Sequence, residues 1–241
     1  MIAIGQFFFR FRNAIFPIAM LVAVLLANPH YSFGSQAADW VTDVLGIAII
    51  LAGQALRVVT IGYEYIRRGG RDGRVFANEL VQGGVFGHSR NPLYLGNILM
   101  VAGFLVVIGT DWLIAIGLPL VIFVYRAIVA AEEDYLSRQF GEAYAAYCRR
   151  VNRWLPDPRG FSQSIAGMPF DWQRVVTKEY GTFFAALAAL LIIQVWTRLG
   201  EDGLSRDGWI WVGVLAALLL GGYLSARIVK KQRLFQGSAH R

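Results

Sequence analysis

Residues 93–131 read LYLGNILMVAGFLVVIGTDWLIAIGLPLVIFVYRAIVAA, with Asn91-Pro92 in front and Glu132-Glu133-Asp134 behind. Asp111 and Arg126 are the charged residues within that stretch. About 20 apolar residues are enough for a helix to cross about 30 Å of hydrocarbon. The stretch therefore holds two spans, 93–110 and 112–131. Comparable runs at 13–28, 40–62, 179–199 and 208–228 bring the expected number to about six. The sequence predicts an all-α fold, a polytopic membrane helical bundle.

Composition points the same way. Of the 241 residues, 56% are hydrophobic and only 16% are charged, where a soluble globule carries about 25% charge. Seven Trp and sixteen Phe exclude a disordered chain, and the low charge argues against a soluble enzyme. The net charge of +7 would suggest nucleic-acid binding in a soluble domain, but in a membrane protein it reads as basic cytoplasmic loops, with no nucleic-acid partner. A single cysteine, Cys148, excludes an intramolecular disulfide and a multi-cysteine zinc site, and no metal-ligand spacing is visible. Twenty arginines against three lysines match the usage of a GC-rich bacterial genome.

The positions of the charges give an orientation. With the N-terminus inside, the inner segments carry Arg10 and Arg12, five arginines between 67 and 90, seven Arg/Lys between 138 and 178, and five after 226. The outer segments carry Arg198 and Arg206, while Arg57 and Arg126 fall within spans. This asymmetry predicts an integral protein of the bacterial inner membrane with both termini cytoplasmic. Arg10 and Arg12 before an apolar run, with Ser35-Gln36-Ala37 beyond it, also resemble a weak signal peptide. The aromatic run Phe7-Phe8-Phe9 makes a poor start for one, so the first span is read as retained. The non-spanning segments 63–92 and 132–178 then share the cytoplasmic face. Pro156-Asp157-Pro158-Arg159-Gly160 interrupts helix and marks a boundary between a core at 1–160 and a C-terminal transmembrane hairpin with a basic tail at 161–241.

Three constellations on that face carry candidate chemistry. In Gly83-Gly84-Val85-Phe86-Gly87-His88-Ser89-Arg90-Asn91-Pro92-Leu93-Tyr94-Leu95-Gly96, glycines permit tight turns and Pro92 opens a helix. Unpaired N–H groups at a helix start suit a carboxylate or phosphate; the plain alternative is a loop entering a span with Arg90 at the headgroups. Glu132-Glu133-Asp134 places acids at the end of a span, where they oppose the helix dipole and invite a cationic ligand, or are simply solvated. Arg126 lies two helical turns before Glu133 on the same face. Leu136, Phe140, Tyr144, Tyr147 and Val151 recur at helical spacing, predicting a cytoplasmic amphipathic helix that lies in the headgroup plane or closes over a site. His88 is the histidine near these elements, with His30 and His240 elsewhere.

Together these residues resemble the isoprenylcysteine carboxyl methyltransferase and phospholipid N-methyltransferase family. Its pattern of Arg-His-Pro-x-Tyr-x-Gly before a span is similar to Arg90-Asn91-Pro92-Leu93-Tyr94-Leu95-Gly96. Its second part, Glu-Glu-x-x-Leu-x-x-x-Phe-Gly-x-x-Tyr-x-x-Tyr followed by Val-x-Arg-x-x-Pro, is matched in register by Glu132-Glu133, Leu136, Phe140-Gly141, Tyr144, Tyr147, Val151, Arg153 and Pro156. The resemblance covers residues 80–156. It implies a membrane-embedded methyltransferase that uses S-adenosylmethionine without a soluble nucleotide-binding domain and acts on a membrane lipid or other apolar acceptor. It also implies a cofactor site of His88, Arg90, Asn91, Pro92, Tyr94, Gly96, Glu132 and Glu133. Arg153 is then a candidate for an acceptor carboxylate or phosphate, and Arg126 a candidate for holding Glu132 or Glu133. One departure stands out: Asn91 replaces the family's common histidine, so the position can hydrogen-bond but not titrate. Membrane sterol reductases, which use NADPH, share a similar Tyr…Tyr…Arg…Pro ending. Their first segment, however, has an Asn before the Tyr and an acid after the Gly, where this chain has Leu93 and Asn97. A non-catalytic membrane protein is the third reading.

Overall fold

A computed structural model describes residues 1–27, 35–64, 77, 79–201 and 203–238, with side chains to 231. His30, His240, Arg67, Arg68, Arg71 and Arg74 lie outside the described residues, as does the side chain of Arg233. The described regular structure is helical. The elements are α1 (Ile2–Leu26), α2 (Gln36–Tyr63), a 3-10 turn (Gly84–Gly87), α3 (Pro92–Ile108), α4 (Asp111–Arg150), α5 (Phe161–Ile165), α6 (Trp172–Gly200) and α7 (Arg206–Ser238). Five helices, α1, α2, α4, α6 and α7 to Lys231, are long and apolar enough to cross a membrane.

The remaining expected span, 93–110, forms the shorter α3 of 17 residues. Pro92 occupies its first turn, where a missing N–H costs least. Gly109, at φ 70°, ends it in the left-handed conformation, its N–H bonded to the carbonyls of Leu105 and Val106. Thr110 then leads directly into α4.

α2 and α3 run antiparallel with their backbones in close contact. A Cβ on Gly53 would lie 2.6 Å from the Gly96 carbonyl oxygen, and one on Gly103 would lie 2.5 Å from that of Gly46. Small residues of this kind let helices approach where lipid supplies no hydrophobic drive between them. α1 meets α4 in the same manner, since a Cβ on Gly5 would overlap the Ala127 carbonyl at 1.9 Å. Val24, Ile50, Phe104, Leu113 and Ile193 join α1, α2, α3, α4 and α6 in one apolar core.

The segment expected to form a separate amphipathic helix is instead continuous with α4. The helix breaks direction at Gly141, whose φ of 51° and ψ of −124° suit glycine alone, and then continues to Arg150. On either side of the kink, Leu136 before it and Tyr144, Tyr147 and Val151 after it are buried in a second cluster with Ala77, and Leu80 packs against it. These four side chains are thus covered by the chain's own residues.

Candidate functional site

The two motif halves, Arg90 to Gly96 and Glu132 to Pro156, are joined by a set of hydrogen bonds that are mostly to backbone. Arg90 N donates to the Asn152 carbonyl at 2.8 Å, and Asp157 N donates to the His88 carbonyl at 3.0 Å. Ser89 Oγ, fully buried, donates to the Trp154 carbonyl at 2.7 Å, and Asn91 Nδ2 donates to the Arg153 carbonyl at 2.9 Å. His88 Nδ1 donates to the Asp157 carbonyl at 2.6 Å, and its Nε2 meets Ser164 Oγ at 2.8 Å. From beneath, Tyr147 OH donates to the Phe86 carbonyl at 2.8 Å. The loop before α3 and the strand-like exit from α4 are therefore one unit.

That unit positions the charged side chains. Arg153 grips Glu133 with two bonds, Nε to Oε1 at 3.1 Å and Nη2 to Oε2 at 2.6 Å. Arg90 approaches the same carboxylate, Nη1 to Oε1 at 3.2 Å, and also donates to Cys148 Sγ at 2.7 Å. Burial works against the Arg90 charge, but Glu133 and Cys148 more than offset it, and its pKa rises above the ordinary guanidinium value. Arg90 Nε is buried with no hydrogen-bond partner. Glu132 is buried on the adjacent face of α4, where it accepts from Tyr94 OH at 2.6 Å.

The expected site residues separate into three groups. His88, Arg90, Asn91, Tyr94, Glu132, Glu133 and Arg153 come together, with Pro92 starting the helix that carries Tyr94. Gly96 lies on the α2 side of α3, where a Cβ would sit 2.6 Å from Arg57 Cγ. Arg126 is exposed on α4 and is not the cation that holds Glu133. Seven helical residues separate the two by about 10 Å along the axis, and Arg90 and Arg153 arrive from nearer segments.

Other participants carry no motif. Arg12 on α1 donates from Nη1 to Tyr94 OH at 3.1 Å. Arg57, inside α2, donates to Glu179 of α6 from Nε at 2.9 Å and Nη2 at 2.6 Å, and also to Asn97. Gln54 adds a bond to Glu179 at 3.1 Å. An arginine inside an otherwise apolar run signals a buried partner, because an unpaired charge there is costly; the partner's identity depends on how helices distant in sequence pack.

A cavity of about 1140 Å³ begins at these residues and continues between α1, α3, α4 and α6. Its polar end includes Arg12, Arg57, Arg90, Tyr94, Asn97 and Glu132, and the rest of its wall is mainly apolar. Small-molecule pockets commonly measure about 300–1,000 Å³, so this space suits a ligand with a long apolar tail. Among the described residues, no group of three or more His, Cys, Asp or Glu is arranged to hold a metal ion.

Fold and site together define a helical membrane protein in which paired arginines and carboxylates cap an apolar cavity. Residues 41–143 match the model of the phospholipid methyltransferase family, the family grouping that the two motifs resemble. The match takes in the first motif and the opening of the second, and ends before Tyr144, Tyr147 and Arg153. No curated protein and no solved structure matches the chain.

Proposed function

We propose that the protein is a membrane methyltransferase that takes S-adenosylmethionine at the junction of the two motifs and a lipid or other apolar acceptor in the adjoining cavity. The observation that carries this reading is the shared boundary. Arg90, Asn91, Tyr94 and Glu132 belong to the motif junction and also line the cavity.

The residue chemistry fits the cofactor. Arg90 Nε is a buried donor without a partner, and a guanidinium is well suited to an amino-acid carboxylate. Glu132 and Glu133 are acceptors for an ammonium group and for ribose hydroxyls, and Tyr94, which lines the cavity, offers an aromatic ring to a sulfonium. When bound, S-adenosylmethionine supplies an electrophilic methyl group. The chain's own contribution is positional. Arg153 and Arg90 fix the Glu133 carboxylate, Tyr94 fixes Glu132, and the backbone bonds between residues 86–91 and 147–157 hold both at one place. For an in-line transfer, fixing two reactants together accounts for a large part of the rate. Asn91 donates to the Arg153 carbonyl, ties the junction together and does not titrate.

Calorimetry on the detergent-purified protein tests the reading. Expected are saturable binding of S-adenosylmethionine and S-adenosylhomocysteine, no binding of NADPH, and loss of binding in Arg90→Gln with the helical circular-dichroism signal of the parent retained. Binding of NADPH without S-adenosylmethionine would replace this reading with the reductase one.

A further inference from the structure

Beyond the motifs, and resting on the methyltransferase reading, we infer that Arg12 of α1 selects the acceptor by binding an anionic oxygen group, phosphate or carboxylate, on a lipid whose tail fills the cavity. α1 lies outside the matched segment 41–143. The arginine is half-buried at the polar end of the cavity. Its Nη1 reaches Tyr94 OH at 3.1 Å, and its guanidinium carbon stands 4.2 Å from the centre of the Phe9 ring.

What sets Arg12 apart is the absence of an acid. Of the arginines lining the cavity, Arg57 is paired with Glu179 and Arg90 with Glu133. Among the described residues no carboxylate lies within 4.0 Å of the Arg12 guanidinium, and its neighbours are a phenol and a phenyl ring. Tyr94 OH spends its proton on Glu132, so it accepts from Arg12 and neutralises nothing. A guanidinium carries five N–H groups in a planar fork matched to carboxylate and phosphate oxygens, and the bond to Tyr94 uses one. A half-buried guanidinium without a counter-charge beside an apolar space is incomplete until an anion reaches it.

The other arginines of the described lining, Arg57 and Arg90, already hold carboxylates, so Arg12 is the arginine there left to meet an incoming anion. Charge complementarity and an apolar wall together specify an anionic amphiphile with its head at Arg12 and its tail between α1, α4 and α6. Arg153 was the sequence's candidate for this task, but it is bound through both Nε and Nη2 to Glu133 and does not line the cavity.

Dioleoyl phosphatidic acid and dioleoylglycerol have the same tails and differ by the phosphate, which makes them the probes of choice. Native mass spectrometry of the detergent-purified full chain should show phosphatidic acid retained preferentially. Arg12→Gln should lower that retention about tenfold, the loss of one charge-assisted contact, and leave dioleoylglycerol unchanged, while Arg12→Lys should retain part of the preference. Ala188→Trp, which fills the cavity wall, should reduce retention of both lipids. Calorimetric affinity for S-adenosylmethionine should be the same in Arg12→Gln as in the parent. Equal phosphatidic acid retention in parent and Arg12→Gln would overturn the assignment. So would retention that survives Ala188→Trp, since the lipid would then belong to the outer bilayer shell. Loss of S-adenosylmethionine binding in Arg12→Gln would move Arg12 to the cofactor site and overturn it too. Failure of the parent to bind S-adenosylmethionine, with phosphate selectivity intact, would count against the methyltransferase reading alone and leave Arg12 as an anion reader.

Discussion

α6 and α7 have nearly the same apolar length and hydropathy, yet they relate to the molecule differently. α6 places Glu179 against Arg57, Gln194 against Asp43 and Ile193 in the main core. At its start, the Asp171 N–H bonds to the Gly62 carbonyl at 2.9 Å, and Phe170 sits where a Gly62 side chain would be. α7 packs against α6 through Tyr223, which meets Tyr180 and Phe184, and presents Trp211, Leu218 and Leu220 outward. Hydropathy alone cannot tell these helices apart. The polar residues that interrupt the apolar run do, because each needs a partner inside the bundle.

The sharpest way to break this comparison is Glu179→Ala. It leaves Arg57 buried without its carboxylate and should cost about 3–5 kcal/mol, read as a large drop in the thermal midpoint of the detergent-purified protein. Leu218→Ala on the outer face of α7 should stay within about 0.5 kcal/mol of the parent. Equal effects from the two would erase the distinction between the helices.

The motif junction follows α6 in being held from within. Gly141→Ala meets no steric obstacle, as nothing lies within 4 Å of the added Cβ, but it forces a side chain into a backbone conformation reserved for glycine. A loss of about 1–3 kcal/mol is expected, with a weakened hold on Tyr144 and Tyr147 visible as faster amide exchange in residues 84–90. Asn91→Ala removes one bond to the Arg153 carbonyl and should cost about 1 kcal/mol, measured by the same thermal assay.

The smallest effect belongs to the solvent-exposed pair at the rim. Hydrogen bonds from Arg159 hold the Asp157 carboxyl down to about 2, from an ordinary value of 3.8. A depressed folded-state pKa means that any stabilisation is present above the ordinary value and is lost as pH falls through the folded one. Arg159→Ala should return the Asp157 titration midpoint towards 3.8 by NMR and leave the thermal midpoint at neutral pH unchanged.

Much of this arrangement was legible in the sequence because it is local or carried by joint spacing. Apolar runs located the helices, Pro92 located a helix start, and the two motif halves were expected at one site. What was not legible depends on contacts between distant segments. The Arg12–Tyr94 bond and the Arg57–Glu179 pair join helices whose order of packing no periodicity records. Likewise, Gly96 reads as a motif glycine in sequence, while in the fold it lets α2 and α3 touch. Arg126 reads as a neighbour of Glu133 by helical phase, but two turns of helix separate them and closer arginines take the carboxylate. The length of α3 turns on where Gly109 stops it, a choice that an unbroken apolar run does not reveal.

The most direct test of the central claim is transfer of a labelled methyl group from S-adenosylmethionine to extracted membrane lipids by the purified protein. The account predicts label in the organic phase with equimolar S-adenosylhomocysteine, and loss of both in Glu132→Gln. Label confined to water-soluble products, or turnover undiminished in Glu132→Gln, would contradict it.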